Sequence, residues 1–551
     1  MKALVVVNCF PPLLKNAGGV SKRYLTLCRA LIEGLGWQVT LMTPVNVRCS
    51  NEDDVMRWLK EGKLVHLPAR GVRIESAADG VAVFLDLFSA VNAGLLLNEL
   101  FLKRDYDCIF TDDLAWRIEF LLLTRATGLP TVTTTHTDIT HMPSCKGCVK
   151  LAWNLHILSA HLASVHATVS QVFGSQMSKK YNIPVGAVWP PILWSQEFKS
   201  EPATWAQRAA AQRATWLERL KAQGCTPKAI MVFAGRWSGE KRIHLLFDAV
   251  PKDCALVICG DGTSEYATTV EHAGPPAGRQ NVLPLRKMLN AVELRVAYAA
   301  SDLFLSASNF ETLGNTVIEA FCSGTPVAVQ PAQGHLEFVK DQKNSWFVDY
   351  NDQDEARATL SRIVASGLDA ESLNRALPDF APLGQKFRSA NFAKDFDEAV
   401  LQPALAVGRQ QRLGGGCNAM VELAKRICCF VTCFFVWFLL RFATRVVFVT
   451  SRDPKFAILG ELGAALDDGR GETIVTLPCL RWLVGSKWLG STSIAETQSP
   501  RAVDDYEGHY RKGYRTALKK WFQTWHEVML MLIAIVCVLR GSVPMLRRSG
   551  P

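Results

Sequence analysis

Two carboxylates stand eight residues apart in the stretch NFETLGNTVIEAFCSGTPVAVQP, residues 309–331. Glu311 falls in an expected loop after the strand-like run DLFLSAS, and Glu319 falls inside a helix expected to begin near Gly314 and Asn315. The free backbone N–H groups at the start of such a helix favour an anion. Two carboxylates so placed can accept hydrogen bonds from hydroxyl groups on two different parts of one extended ligand.

A second group of charges follows an earlier strand-like run, AIMVFAG, which ends in GRWSGEK with Arg236 and Lys241. Gly235 at the strand end lets the backbone turn close to a ligand. The planar fork of an arginine and the point charge of a lysine suit a diphosphate. Alone, this motif is typical of an exposed basic turn. Together with the two glutamates it predicts a nucleotide-sugar site, with the diphosphate held between sugar and ribose hydroxyls.

Strand-like and helical stretches alternate along the first 405 residues and position these groups. The strand-like runs are apolar on both faces, which is typical of a parallel sheet covered by helices. The alternation pauses at residues 189–212 and then restarts. We therefore predict an α/β protein with two Rossmann-like doubly wound domains that face a cleft and bind ligand at the carboxyl ends of their strands.

The predicted organisation has four parts. Residues 1–188 form the first Rossmann-like domain, which the family resemblance described below makes the acceptor side, and residues 189–405 form the nucleotide-sugar-binding domain. A linker (406–420) and a membrane-associated extension (421–551) follow. Within the extension, the apolar runs 427–440 and 528–539 are shorter than the roughly 20 residues of a clean span. Basic residues flank both, and Trp521 and Trp525 precede the second at the position of an aromatic belt. Membrane contact, with a transmembrane helix as one form of it, competes with a buried helical cap.

The amino-acid composition limits the classes of binding partner and the cellular compartments to be considered. The 551-residue chain is 49% hydrophobic, 20% charged and carries a net charge of +10, without a long run of basic residues. This balance fits an anionic membrane surface or an anionic substrate and excludes a nucleic-acid-binding arm. The 16 cysteines do not follow disulfide-framework spacings, so we expect reduced thiols in the cytosol or a plastid stroma.

Two patterns suggest metal binding at first sight. His136, His141, Cys145 and Cys148 have a spacing that zinc could use, but a single CxxC in a proline-containing loop is more often incidental. The sequence Asp105-Tyr106-Asp107 leads into a buried strand, where a solvated loop is the simpler interpretation. We predict no metal ligands and no cofactor, with the nucleotide sugar as substrate.

The ordered set of motifs over about residues 1–405 resembles a known family. GRWSGEK, GDG and AYAASDLFLSASNFETLGNTVIEAFCSGTPVAV are similar to the donor half of retaining GT-B glycosyltransferases with the Glu-x7-Glu motif. The N-terminal stretch with its Gly-Gly loop, and TTTHTD, resemble the acceptor half of that family. Within it, ETLG and GVSKRYL are most similar to the sulfoquinovosyltransferases that build sulfolipid on diacylglycerol.

The resemblance implies transfer with retention by front-face attack, in which the leaving phosphate takes the acceptor's proton. Neither a metal nor an enzyme nucleophile is then required, and catalysis is positioning plus charge stabilisation. Glu311 and His136 would contact the sugar, Glu319 the ribose, and the two cations the diphosphate. The implied catalytic residues are His136, Glu311, Arg236 and Lys241, and the implied donor-binding residues are Gly18, Gly19, Gly235, Gly260, Gly262, Thr312, Leu313, Gly314, Asn315 and Glu319.

The expected function is transfer of sulfoquinovose from UDP-sulfoquinovose to diacylglycerol at a membrane. One alternative is a soluble glycan or other lipid as acceptor with glucose, galactose or mannose, and another is a non-catalytic nucleotide-sugar-binding scaffold. Lys22 and Arg23 could hold a sulfonate, although a helix-surface pair is the default interpretation. Two departures bear on the sugar: Asp138 stands where the sulfolipid enzymes tend to have a second histidine, and AQGHLEFV (332–339) replaces a Gly-Gly-Ile-Pro-like turn.

Overall fold

Two parallel β-sheets, each with its helices, make up most of the part of the chain that the computed structural model describes. That part comprises residues 1–7, 10, 19–43, 47, 53–69, 71–76, 80–85, 96, 98–103, 105–112, 124, 126–138, 140, 153, 156–157, 160–161, 163–193, 195–262, 264–272, 279–413, 464–467, 472–476 and 492–493.

The first unit is built on a seven-stranded sheet with the order β3-β2-β1-β6-β7-β8-β9, in which all neighbours are parallel. Strands β4 and β5 form a separate antiparallel hairpin. The strands are β1 (Lys2–Val6), β2 (Gln38–Thr43), β3 (Leu64–Pro68), β4 (Gly71–Ser76), β5 (Gly80–Leu85), β6 (Cys108–Thr111), β7 (Thr131–Thr135), β8 (Val165–Thr168) and β9 (Ala187–Val188). The helical segments are α1 (Gly19–Arg29) with its π-helical continuation Ala30–Gly34, α2 (Asp53–Lys60), the π-helical turn Asn98–Lys103 and α3 (Gln171–Tyr181).

The second unit is built on a six-stranded parallel sheet with the order β12-β11-β10-β13-β14-β15. Its strands are β10 (Ile230–Ala234), β11 (Ala255–Gly260), β12 (Val282–Arg286), β13 (Leu303–Ser306), β14 (Val327–Val329) and β15 (Trp346–Phe347). Its helices are α4 (Ala206–Ala222), α5 (His244–Ala249), α6 (Ser264–Glu271), α7 (Ala291–Ala299), α8 (Asn315–Ser323), α9 (Gln353–Ala365), α10 (Ala370–Ala376) and α11 (Phe380–Ser389). Short 3-10 turns lie at Gln196–Lys199, Pro202–Trp205, Gly239–Lys241 and His335–Glu337.

The predicted α/β architecture with two doubly wound sheets is confirmed. Every residue of the central strand β10 is buried, which explains why the run is apolar on both faces. In the first sheet the strand order reverses between β1 and β6, and in the second it reverses between β10 and β13. Such reversals open a crevice at the carboxyl ends of the strands, where ligands bind.

The last helices of the second unit return to the first sheet. Helix α12 (Phe392–Phe396), the π-helical turn Asp397–Leu401 and helix α13 (Gln402–Leu413) follow α11. The Phe396 ring lies 5.9 Å from that of Phe110 and 4.9 Å from that of Trp189, between centroids. Residues 406–413, which we predicted as the first part of a linker, are therefore helical, because the glycine-rich run begins only at residue 414.

The C-terminal extension is described only at β16 (Ala464–Asp467), β17 (Glu472–Thr476) and β18 (Thr492–Ser493), which form an antiparallel sheet. No helix among the described residues is long and apolar enough to cross a membrane. The predicted membrane segments 427–440 and 528–539 lie outside the described residues.

Six described cysteines are buried and carry free thiols: Cys28, Cys108, Cys225, Cys254, Cys259 and Cys322. Burial raises the pKa of Cys259 to about 12. Such thiols behave as small core hydrophobes and are poorly reactive, as the sequence predicts.

Two histidines converge on Thr135 at the end of β7. Nε2 of His156 and Nε2 of His166 each lie 2.8 Å from Thr135 Oγ1. His166 Nδ1 lies 3.2 Å from the carbonyl oxygen of Pro184, so His166 donates there and accepts the Thr135 hydroxyl proton at Nε2. Thr135 Oγ1, which gives its own proton to His166, can then accept a hydrogen bond from Nε2 of His156. The sequence does not predict this cluster, since the spacing of these histidines suits no shared helix face.

The two histidines at Thr135 make the free energy of unfolding depend on pH. Burial, and next the neighbouring His156, lower the pKa of His166 from 6.5 to about 3. Between these values the unfolded chain binds a proton that the folded chain does not, so the free energy of unfolding falls as the pH falls. We expect the thermal midpoint to drop between about pH 7.5 and pH 5, and to drop less in His166→Gln. The exposed His161→Gln should behave like wild type. An equal drop in His166→Gln would contradict the assignment.

Candidate active site

The loops after β10 and β13 meet where the order of the second sheet reverses. Lys241, in the turn after β10, forms an ion pair through Nζ with Oε1 of Glu311, in the loop after β13. Both side chains are largely shielded, with exposures of 21% and 15%. The structure thus brings the predicted diphosphate cation into direct contact with the predicted sugar carboxylate.

The electrostatics keep Glu311 ionised. Burial by itself would raise the pKa of Glu311, but the Lys241 ammonium, the nearby His335 and hydrogen bonds outweigh it and lower that pKa. A shielded carboxylate that stays charged is a strong hydrogen-bond acceptor for a ligand hydroxyl. Its partner Lys241 is equally placed to share its remaining N–H donors with an anion.

Arg236 has a different partner. Its guanidinium lies 2.8 Å from Oε1 of Glu240, which also accepts a 2.6 Å hydrogen bond from Ser238 Oγ. Arg236 is 42% exposed, so its side chain can swing toward a ligand. The third basic residue of the loop, Arg242, is structural: Nε donates to the carbonyl oxygen of Ala307 at 2.8 Å.

Helix α8 begins where the Glu311 loop ends. Gly314 is its N-cap and has a φ of +84°, a conformation that favours glycine. Leu313 anchors the loop in the core at 3% exposure. The side-chain oxygen of Asn315 is buried and has no hydrogen-bond partner among the described residues. The predicted contact of Gly314 and Asn315 with a donor phosphate stays a prediction.

Glu319 lies one turn further along α8 and is 5% exposed. Its Oε2 accepts a 3.1 Å hydrogen bond from the hydroxyl of Tyr298 in α7. The carboxylate therefore has a protein partner that orients it, and its predicted contact with a ribose stays a prediction.

The predicted donor-binding glycines after β10 and β11 lie close to each other. Gly235 and Gly260 have φ values of +156° and +152°. A Cβ atom at Gly260 would lie 1.9 Å from the carbonyl oxygen of Gly235, and one at Gly262 would lie 2.1 Å from that of Trp237. The packing of these two loops already requires glycine at 260 and 262, whether or not a phosphate approaches them.

In the first unit, His136 follows β7 and is 5% exposed. Its ring centroid lies 5.7 Å from that of Tyr24 and 6.3 Å from that of Trp189. The Arg23 guanidinium stacks over Trp189 at 5.2 Å and is itself 5% exposed. These four residues form the His136 cluster. Gly19 is the first residue of α1, and Gly18 lies outside the described residues.

Arg23 was not among the predicted site residues, and its default interpretation as a helix-surface charge is wrong. Arg23 and Gly19 are four residues apart in one helix, so they share a face. That spacing from the Gly-Gly loop is the signal that could have identified it.

Asp138, which departs from the sulfolipid pattern, belongs to a polar network with α3. Lys180 Nζ lies 2.8 Å from its Oδ2, and the hydroxyls of Thr140 and Tyr181 donate to Oδ1 at 2.6 and 3.0 Å. Burial opposes ionisation, but these partners lower the pKa of Asp138 overall. These contacts with α3 indicate a structural role for Asp138.

The two units touch beside the Glu311 loop. Ser170 Oγ, at the N-cap of α3, donates to the carbonyl oxygen of Thr312 at 2.7 Å. The N–H of Val172 donates to Oε2 of Glu337 at 2.9 Å. The start of α3 in the first unit is therefore linked to the Glu311 loop before α8 and to the 3-10 turn after β14.

Asp105 and Asp107 lie at the amino ends of the strands of the first sheet, away from the carboxyl ends where ligands bind. Lys2 Nζ binds Asp105 at 2.7 Å and the Lys2 N–H donates to Asp107 at 2.8 Å, both at the amino ends of β1 and β6. Among the described residues no group of three His, Cys, Asp or Glu side chains could hold a metal ion. His141, Cys145 and Cys148 lie outside those residues.

Among the comparisons with known proteins, the match to a family model falls within the second unit. The family model of glycosyl transferases group 1 matches residues 218–377, which contain the Lys241–Glu311 pair and helix α8. Sulfoquinovosyl transferase SQD2 of Arabidopsis thaliana is 30% identical over 118 residues, 21% of this chain and 22% of that protein. The GDP-mannose-dependent alpha-mannosyltransferase of Mycolicibacterium smegmatis is 32% identical over 126 residues, 22% of this chain and 31% of that protein. Each match spans less than a third of the relative's length.

A solved structure supports the fold. The crystal structure of Anabaena Alr3699/HepE in complex with UDP aligns with a TM-score of 0.50 at 15% identity, covering 73% of this chain and 99% of that one. The two parallel sheets and this alignment agree with the predicted GT-B fold. The chain therefore has the GT-B fold, and its residues 218–377 match the family model of glycosyl transferases group 1.

Proposed function

We propose that this protein is a retaining glycosyltransferase that moves sulfoquinovose from UDP-sulfoquinovose to diacylglycerol at a membrane surface. The observation that carries the transferase proposal is the Lys241–Glu311 pair at the start of helix α8. This ion pair supports the proposal because a cation suited to a leaving diphosphate contacts a charged carboxylate suited to sugar hydroxyls.

The proposed roles follow from these positions. The free N–H groups at the start of α8, with Lys241 and Arg236, hold the diphosphate and stabilise the charge that develops on it as the glycosidic bond breaks. Glu311 and His136 orient the sugar from opposite units, and Glu319 binds the ribose. The leaving phosphate accepts the proton of the acceptor hydroxyl, so these side chains act by position and charge.

The choice of an anionic sugar rests on Arg23. Its buried guanidinium lies in the same aromatic cluster as His136, which we assign to the sugar. A planar guanidinium matches a sulfonate through paired hydrogen bonds. The relative named for sulfoquinovose supports this choice, whereas the relative named for GDP-mannose supports a neutral sugar as the second candidate.

The lipid acceptor and the compartment rest on the sequence. The apolar runs 427–440 and 528–539 and the net charge of +10 favour an anionic membrane surface. The buried free thiols favour a reducing compartment, cytosol or plastid stroma.

A donor panel tests the proposal. The full chain is assayed with diacylglycerol vesicles and UDP-sulfoquinovose, UDP-glucose, UDP-galactose or GDP-mannose in turn, and in parallel with a water-soluble glycan acceptor. We expect transfer from UDP-sulfoquinovose to the lipid. In Arg23→Gln, kcat/KM for this donor should fall about 100-fold, the loss of a charge-assisted paired hydrogen bond. Arg29→Gln is the matched control, since Arg29 lies in the same helix and pairs with Asp54.

Each other result has a defined meaning. Transfer from a neutral-sugar donor, unaffected by Arg23→Gln, would overturn the sulfolipid assignment and keep the reaction type. Transfer only to the soluble glycan would overturn the lipid acceptor. Donor binding without transfer to any acceptor would favour the non-catalytic scaffold.

A further inference from the structure

The loop after β14 packs against the Glu311 loop. The N–H of Gly334 donates to the carbonyl oxygen of Glu311 at 2.6 Å. A Cβ atom at Gly334 would lie 2.3 Å from the backbone nitrogen of Leu313, so the two loops are in close backbone contact. The next residue, His335, is fully buried.

The ring of His335 lies against the N-cap of helix α8. A Cβ atom at Gly314 would lie 2.7 Å from His335 Cδ2 and 3.1 Å from its Nε2. His335 Nδ1 lies 3.0 Å from the carbonyl oxygen of Gln330, which can only accept, so Nδ1 carries a proton and donates. Nε2 is buried and has no hydrogen-bond partner among the described residues. One ring nitrogen is thus left to gain a proton at the start of the helix.

Two neighbouring groups of opposite charge act on His335. The charged groups that act on the ring are the Glu311 carboxylate, which favours the imidazolium, and the Lys241 ammonium, which opposes it. Glu337, in the same 3-10 turn, directs its carboxylate to the N–H of Val172. Burial is the largest influence and lowers the pKa of His335, so the ring is neutral near pH 7. An anion that arrives at the start of α8 would reverse this balance.

We propose that His335 takes up one proton from solvent when a nucleotide sugar binds, so that its imidazolium places a positive charge beneath the diphosphate. This inference rests on the proposed function, because the anion it requires is the donor diphosphate. His335 then acts as a positioning residue that strengthens donor binding through helix α8. Donor affinity falls as the pH rises, since proton uptake becomes costlier.

Calorimetry counts the proton directly. The full chain is titrated with UDP-glucose and with UDP-sulfoquinovose, without acceptor, in two buffers of equal pH and different ionisation enthalpy. The diphosphate of a nucleotide sugar is fully ionised near pH 7, so any proton taken up goes to the protein. We expect uptake approaching one proton per donor at about pH 7, and an affinity that falls up to tenfold per pH unit above it.

The variant His335→Asn keeps a donor for the Gln330 carbonyl and removes the titrating nitrogen, so both effects should disappear. His272→Asn, the same change at an exposed histidine, should leave them intact. Binding by the wild type without proton uptake overturns this inference alone, whatever the variant does, and leaves the proposed function standing. Equal uptake in His335→Asn also overturns it. Failure of the wild type to bind any nucleotide sugar overturns both.

Discussion

Replacing Glu311 by Gln should lower kcat by about 10³-fold while the protein stays folded, the scale seen when one charge-stabilising group of an active site is removed. The amide keeps the shape of the side chain but loses the charge that pairs with Lys241. It also turns one acceptor oxygen into a donor, so sugar hydroxyls lose an acceptor. The measurement is the single-turnover rate with the donor that the panel identifies, alongside the thermal midpoint.

Two comparisons make this result specific. Glu371→Gln removes an exposed carboxylate paired with Arg375 at 3.2 Å and should leave kcat unchanged. The double variant Lys241→Met with Glu311→Gln should lose little more than the worse single variant, because the two side chains act as one unit. A kcat within about tenfold of wild type in Glu311→Gln, where the panel shows transfer, would remove Glu311 from the reaction.

Replacing Gly260 by Ala should destabilise the second unit by about 3 kcal/mol or more, through two mechanisms that act together. The φ of +152° is nearly closed to residues with a side chain. The new Cβ would lie 1.9 Å from the carbonyl oxygen of Gly235 and 2.7 Å from Nε1 of Trp237. The backbone oxygen cannot move away without shifting the end of β10, so the loops that carry Lys241 should also move.

Thermal unfolding is the measurement, with an expected drop of about 6 °C or more in the midpoint. Gly239→Ala is the matched control in the neighbouring loop, because a Cβ there has nothing within 4 Å. If both variants unfold at the same temperature, the loops after β10 and β11 are not packed as described. A lower donor affinity in Gly260→Ala, measured well below its midpoint, would link this packing to the site.

The architecture was predictable because it depends on local pattern. Runs of β-branched and apolar residues predict buried parallel strands, and their alternation with helices predicts two doubly wound sheets. The short distance between Glu311 and helix α8 was predictable for the same reason, since both follow directly from strand β13. The structure agrees at each of these points.

The pairing of the site residues was not predictable in the same way. Arg236 and Lys241 were expected to share one anion, but each has its own carboxylate, Glu240 and Glu311. The return of residues 392–413 to the first sheet has no sequence signal, because an apolar helix face is compatible with either sheet. The distance between two residues along the sequence therefore does not predict ion pairs whose members lie in different loops.

By itself, the sequence determined the fold class, the helix that carries Glu319 and the loop types that carry the cations, because these depend on periodicity and on residues a few positions apart. Only the tertiary structure decided that Arg23 is buried over Trp189 in the His136 cluster, that His335 lies against Gly314, and that two histidines share Thr135. Burial and the distance between remote charges set these environments, and both arise only when separate strand ends are brought to one edge of a sheet.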